Sequence, residues 1–213
     1  MNFLEVQMKV LIINGSPHKD GTTAAALAEL IGSLEKEGVE CELVHVGLEP
    51  IRGCVACFGC RSGEGCALGG IVNDIAKKFE EADGLVVASP VYYAAPNATL
   101  VALLDRLFYS SKFDKRDKVG AAVACARRGG TTAALDVLNK YFSISGMPIV
   151  GSTYWNQVHG ANAEDAREDA EGMLCMRSLG RNMAFLIKSI ALGKEKYGLP
   201  EKEKGVRTNF IKR

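Results

Sequence analysis

Two periods of apolar residues alternate along the chain. Residues 8 to 14 close on Val10-Leu11-Ile12-Ile13, a continuous apolar run of the kind found in strands buried on both faces. Residues 22 to 37 then place Leu27, Leu30, Ile31 and Leu34 at helical spacing before Gly38 stops the helix. Residues 39 to 46 alternate as a second strand, and 71 to 82 read as a helix. Gly84-Leu85-Val86-Val87-Ala88-Ser89 is a third strand, and 97 to 109 a helix with Leu100, Leu103, Leu104 and Leu107 on one side. A fourth strand at 119 to 125, a helix at 132 to 142, a short fifth strand at Pro148-Ile149-Val150 and one long helix from Glu164 to Leu192 complete the pattern.

Short apolar strands alternating with helices predict an α/β domain, a doubly wound five-stranded parallel sheet with helices on both faces. The 213 residues suit one domain, spanning 1–193 with its core from about residue 8 and a cysteine-rich loop at 53–66. Residues 194–213 differ: seven basic and three acidic residues, interrupted by Gly198, Pro200 and Gly205, predict an arm or tail. Tyr197, Leu199 and Phe210 could anchor it on a partner subunit, and disorder is the alternative.

The sheet's predicted carboxyl edge carries the candidate chemistry, because ligands of such sheets bind there. Gly15-Ser16-Pro17-His18-Lys19-Asp20-Gly21-Thr22-Thr23 leads from the first strand into a helix, where free backbone N–H groups and the helix dipole favour an anion. It matches neither G-x-G-x-x-G nor G-x-x-x-x-G-K-[ST], so a terminal monophosphate fits better than a pyrophosphate. A simple cap and turn is the structural alternative. After the third strand, Pro90-Val91-Tyr92-Tyr93-Ala94-Ala95-Pro96 is stiff, apolar and aromatic, suited to a planar heterocycle. After the fourth, Arg127-Arg128-Gly129-Gly130 offers close backbone approach and an arginine for a nucleotide phosphate or substrate anion. Trp155, Asn156 and His159 follow the fifth strand as candidate pocket residues.

Four of the seven cysteines stand within residues 54 to 66, as Cys54, Cys57, Cys60 and Cys66. Thiolates so close together suit a soft metal site, whereas Cys41, Cys125 and Cys175 lie in apolar patterns and read as buried hydrophobes. Lysine and arginine number 26 against 25 aspartate and glutamate, which gives no global case for nucleic acid or an anionic membrane. No apolar run approaches the length of about 20 residues that a bilayer requires, and Met1 to Gln7 lack the form of a secretory signal. A cytoplasmic protein is the expectation.

Gly15-Ser16-Pro17 with Thr22-Thr23, and Ser89-Pro90-Val91-Tyr92-Tyr93 after a later strand, resemble the NADPH-dependent FMN reductase and iron-sulfur flavoprotein branch of the flavodoxin-like superfamily. The resemblance implies strand order 2-1-3-4-5 and FMN, with its phosphate in the first loop (Ser16, Pro17, His18, Gly21, Thr22, Thr23) and its ring along the second (Pro90, Val91, Tyr92, Tyr93). It also implies NAD(P)H as electron donor, a small molecule or redox protein as acceptor, and a homodimer. The C-x2-C-x2-C-x5-C spacing is similar to the compact motif of iron-sulfur flavoproteins and implies a 4Fe-4S cluster. Two other classes remain open: a non-enzymatic electron carrier, and a zinc-binding interaction module using the four cysteines.

Overall fold

The computed structural model describes residues 7–206, 208 and 210. The opening segment, read above as lacking a secretory signal, lies outside them apart from Gln7. Elements follow in the order β1 (Lys9–Asn14), α1 (Thr22–Lys36), β2 (Glu40–His45), α2 (Ile71–Glu81), β3 (Gly84–Tyr92), β4 (Ala95–Pro96), α3 (Ala98–Ser110), β5 (Val119–Ala126), α4 (Thr131–Ile144), β6 (Gln157–His159), α5 (Ala163–Glu168) and α6 (Ala170–Tyr197). The sheet runs β2-β1-β3-β5-β6 with every pair parallel, and β4 is only the return arm of a hairpin on β3. With that arm set aside, this is the 2-1-3-4-5 order expected from sequence.

Strand alternation divides the core into two layers, because successive side chains point to opposite faces. Val10, Ile12, Val86 and Ala88 meet α1 and α6 through Leu27, Leu30, Met176, Leu179 and Met183. Leu11, Ile13, Leu85 and Val87 meet α2, α3 and α4 through Val72, Phe79, Leu103, Leu138 and Phe142. The middle of each central strand is therefore apolar on both faces. No helix among the described residues is long and apolar enough to cross a membrane.

Two expected elements and one boundary differ. Pro148-Ile149-Val150 makes one parallel bridge, Ile149 to Gly120, and the strand proper is β6, paired to Ala124–Ala126 after six intervening residues. Residues 151 to 156 bulge between the two pieces, where the Asn182 side chain donates to the Gly151 carbonyl (2.9 Å). The long last helix breaks at Asp169, whose carboxylate accepts from the backbone N–H groups of Gly172 (2.9 Å) and His159 (2.7 Å); this side-chain bonding competes with helix continuation. Beyond the break α6 runs to Tyr197, past the boundary drawn at residue 193.

Candidate functional site

The three loops of interest lie at the carboxyl ends of β1, β3 and β5. The first is anchored at its base, where Gly15 N–H donates to the Ala88 carbonyl (2.9 Å) and Ser16 N–H to Asn14 Oδ1 (2.9 Å). Ser16 Oγ accepts from His18 N–H (3.1 Å), which leaves its own proton free to donate. Pro17 is half-buried and His18 exposed. Helix α1 starts at Thr22 after Gly21 without a side-chain cap, so its first N–H groups face the loop unpaired by the chain's own side chains.

The two threonine hydroxyls turn away from that spot. Thr22 Oγ1 donates to the carbonyls of Gly160 (3.1 Å) and Asn162 (3.2 Å), tying α1 to the loop after β6, and Thr23 is buried beside Cys125. An anion here would meet backbone N–H groups and Ser16. Gly47, after β2, closes the other side: a Cβ there would stand 1.8 Å from the Ser16 carbonyl oxygen, so only glycine allows the two loops to touch.

The second loop is a tight hairpin. Val91 pairs with Pro96 and Tyr92 with Ala95, and the turn residues Tyr93 and Ala94 have φ of 50° and 60°. Two consecutive left-handed residues give the turn its sharpness without glycine, a costly conformation for side chains bearing a Cβ. Ser89 Oγ accepts from Asn97 N–H (2.8 Å) at the hairpin base, and Asn97 caps α3. Tyr93 is fully exposed and Tyr92 about half so, which leaves both rings available to a ligand. In the third loop Gly130, at φ 94°, lies against this hairpin, where an added Cβ would come within 2.9 Å of the Ala94 Cα and of the Val91 side chain. Arg127, Arg128 and Gly129 are exposed, and neither arginine joins an ion pair among the described residues.

Beyond these loops, His159 ends β6 with Nδ1 3.7 Å from Asp169, beside the Gly160 carbonyl that holds Thr22. Tyr154 and Trp155 stack edge to face (4.5 Å) and stay half-exposed on the bulge.

The cysteine loop leaves the sheet edge and lies against the second half of α3. Cys54, Cys57, Cys60 and Cys66 line one mostly apolar pocket with Phe58, Leu68, Arg106 and Tyr109. Arg106 sits eight residues into α3, roughly 12 Å along the helix from its start. The loop was expected to fold over the edge that carries Ser16 and Tyr92; the segment that leads to it from β2 touches that edge at Gly47, while the cysteines themselves lie against Arg106 and Tyr109. Cys54 and Cys57 are exposed while Cys60 and Cys66 turn inward, so among the described residues no three metal-ligating side chains converge on one point. The donor set nonetheless fits a thiolate-bound group: four sulfurs share one pocket, and left-handed Ala56 (φ 50°) and Phe58 (φ 58°) coil the backbone around Cys57. Burial pushes the thiols of Cys41 and Cys125 up to about 12, which keeps them protonated and inert.

Sequence reading missed Gly47, Gly160, Asn162 and Arg106. Each acts through a contact between distant segments, and only the cap pattern Asn162-x-Glu164-Asp165 left a local signal.

The model of the NADPH-dependent FMN reductase family matches residues 8–162. An iron-sulfur flavoprotein of Methanocaldococcus jannaschii is 32% identical over 191 residues, 86% of this chain and 99% of its own. Another, from Methanosarcina thermophila, is 29% identical over 193 residues, 89% and 100% of the two chains. Among solved structures, RosB with bound 8-demethyl-8-formylriboflavin-5'-phosphate aligns at TM-score 0.66 and 16% identity over 96% of this chain and 92% of its own. A WrbA-like flavodoxin from Agrobacterium tumefaciens aligns at 0.61 and 14% over 86% and 99%. These structural likenesses speak for the fold, whereas the family match and the first relative settle descent: the chain belongs to the NADPH-dependent FMN reductase family, in its iron-sulfur flavoprotein branch.

Proposed function

We propose that the protein is an FMN-dependent oxidoreductase that takes electrons from NAD(P)H and passes them to a small-molecule acceptor or redox protein, acting as a cytoplasmic homodimer. The observation that carries the reading is the uncapped start of α1 beneath the Ser16 loop, facing the strained Tyr93-Ala94 hairpin across the same sheet edge. The Thr22, Thr23 and Ala24 N–H groups and the Ser16 hydroxyl hold the phosphate. Val91, Tyr92 and Tyr93 line the ring, the Gly129-Gly130 backbone approaches its edge, and Arg127 or Arg128 meets the nicotinamide nucleotide's phosphate. Bound flavin supplies hydride and single-electron chemistry, so the side chains need only bind, orient and exclude water.

Cys54, Cys57, Cys60 and Cys66 are the ligands we assign to a 4Fe-4S cluster, which would supply a one-electron store. Asn73 fixes the backbone of Cys66 by accepting from its N–H (2.8 Å) and donating to its carbonyl (3.1 Å).

Two measurements test the reading. Protein loaded with FMN should lose its oxidised flavin absorbance on anaerobic addition of NADPH or NADH; flavin that stays oxidised with both would leave an electron carrier. Anaerobic reconstitution should give about four irons and four sulfides per chain, and Cys57→Ala should abolish both. One zinc without labile sulfide would return the cysteine loop to the zinc-module reading.

A further inference from the structure

Arg106 is only 5% exposed, and its guanidinium meets three acceptors: Nε donates to Cys66 Sγ (3.2 Å), Nη1 to the Arg52 carbonyl (3.2 Å) and Nη2 to the Gly69 carbonyl (2.6 Å). No carboxylate pairs with it among the described residues. Two carbonyls solvate a guanidinium without neutralising it, and an arginine cannot shed its charge. A buried cation of this kind is expensive unless an anion accompanies it. The one contacting group able to become anionic is the Cys66 sulfur. Asn73 holds the backbone of that cysteine through two hydrogen bonds, which fixes the residue whose sulfur accepts from the guanidinium.

We infer that Arg106 is the built-in counter-charge of the centre held by Cys54, Cys57, Cys60 and Cys66, and that its contact with Cys66 raises the centre's reduction potential. The inference rests on the cluster reading above. A thiolate-bound cluster is net negative, and one-electron reduction adds a further negative charge without making or breaking a protein bond. A cation hydrogen-bonded to a ligand sulfur favours the more negative state, so it draws the potential upward. The other cations near the loop are solvent-facing: Arg61 lies over the Phe58 ring at 4.0 Å, and Lys112 donates to the Gly63 carbonyl (2.8 Å). Screening leaves them a smaller share.

The experiment is an electrode- or dithionite-driven titration of the iron-loaded protein, followed by the electron paramagnetic resonance of the reduced centre. Arg106→Gln should lower the equilibrium constant for reduction about tenfold, close to 59 mV for one electron. Lys112→Gln, the exposed control, should shift it far less. Arg106→Lys keeps the charge but loses the fork, so its potential should fall part of the way; it also decides the matter if the glutamine variant fails to fold. An unchanged potential in a folded, iron-loaded Arg106 variant overturns the role of Arg106 and leaves the cluster standing. Wild-type protein that takes up no iron and sulfide overturns the cluster, and this inference with it.

Discussion

Ser16 and Thr22 are interchangeable as hydroxyls in the sequence, but their hydrogen bonds separate them. Ser16 keeps a proton to donate, while Thr22 spends its proton on Gly160 and Asn162. Ser16→Ala should therefore weaken FMN binding about tenfold, the loss of one hydrogen bond to a charged group, and cost the apoprotein about 1 kcal/mol through the His18 N–H bond that its oxygen accepts. Thr22→Val should leave FMN affinity unchanged, because the phosphate keeps its backbone donors, while costing the apoprotein about 1 kcal/mol through the part-buried Gly160 contact. Flavin-quenching titrations and thermal melts of each apoprotein measure the two effects; equal losses of affinity would show that both hydroxyls reach the ligand. Ala94 offers a second test. Its φ of 60° is a conformation that a Cβ disfavours by about 1 kcal/mol, so Ala94→Gly should raise the melting temperature by about 3 °C. A lower melting temperature would mean that the contacts of the Ala94 methyl outweigh the strain.

At the scale of elements, the pattern of apolar runs was enough to place β1, β2, β3, β5 and the helices α1 to α4 that follow them, because central parallel strands are mostly apolar and their helices keep a clean period. The last strand was misplaced for a physical reason. Pro148-Ile149-Val150 has the composition of a strand, yet its partner β5 is used there for a single bridge, and the pairing resumes only at Gln157–His159, whose Gln-Val-His carries no strand signal. The break at Asp169 was equally hidden, since an aspartate in a helical pattern does not announce that His159 will donate to it. The edge strand β2 carries a further consequence. Glu42 is hydrogen-bonded by Lys78 and by Lys9, the latter at 2.6 Å, and the pair hold its carboxyl below the usual range. With the folded value lower than the unfolded one, about 4.3, the triad stabilises the fold above that pH and loses its effect as pH drops through the folded value. Glu42→Gln should cost about 0.5 kcal/mol at pH 7, with the gap to wild type closing below pH ~4. Urea midpoints at several pH values check this; a gap that persists at pH ~3 would assign the loss to packing instead.

For the whole molecule, the phosphate loop and the cysteine spacing were legible because each is a contiguous stretch whose chemistry depends on residue type. What held them together was not: Gly47 against Ser16, Gly130 against Ala94 and Arg106 against Cys66 are contacts across 31, 36 and 40 residues, invisible to any local pattern. The same limit applies to assembly, where the sequence offered a resemblance, a long last helix and the apolar tail residues Tyr197, Leu199 and Phe210. Along α6, Leu174, Phe185 and Leu192 are spaced by 11 and 7 residues, which sets them on one helix face, and all three are exposed, Phe185 by 72%. An apolar row on a helix whose other side is already packed against α1 is the surface we expect a second copy to cover. We expect the tail to contribute less, for among the described residues its Pro200 carbonyl accepts from Arg116 Nη1 (2.9 Å) and its Lys194 pairs with Asp117 within the same chain. Phe185→Glu should thus convert a dimer to a monomer in light scattering at micromolar concentration, with FMN affinity unaltered if the flavin is held within one chain. Truncation after Gly198, which spares the last turn of α6 and the Lys194–Asp117 ion pair (2.6 Å), should leave the dimer intact. If truncation dissociates it and Phe185→Glu does not, the arm and not the helix carries the interface; a wild-type chain that is monomeric with full flavin occupancy removes the dimer from the proposal.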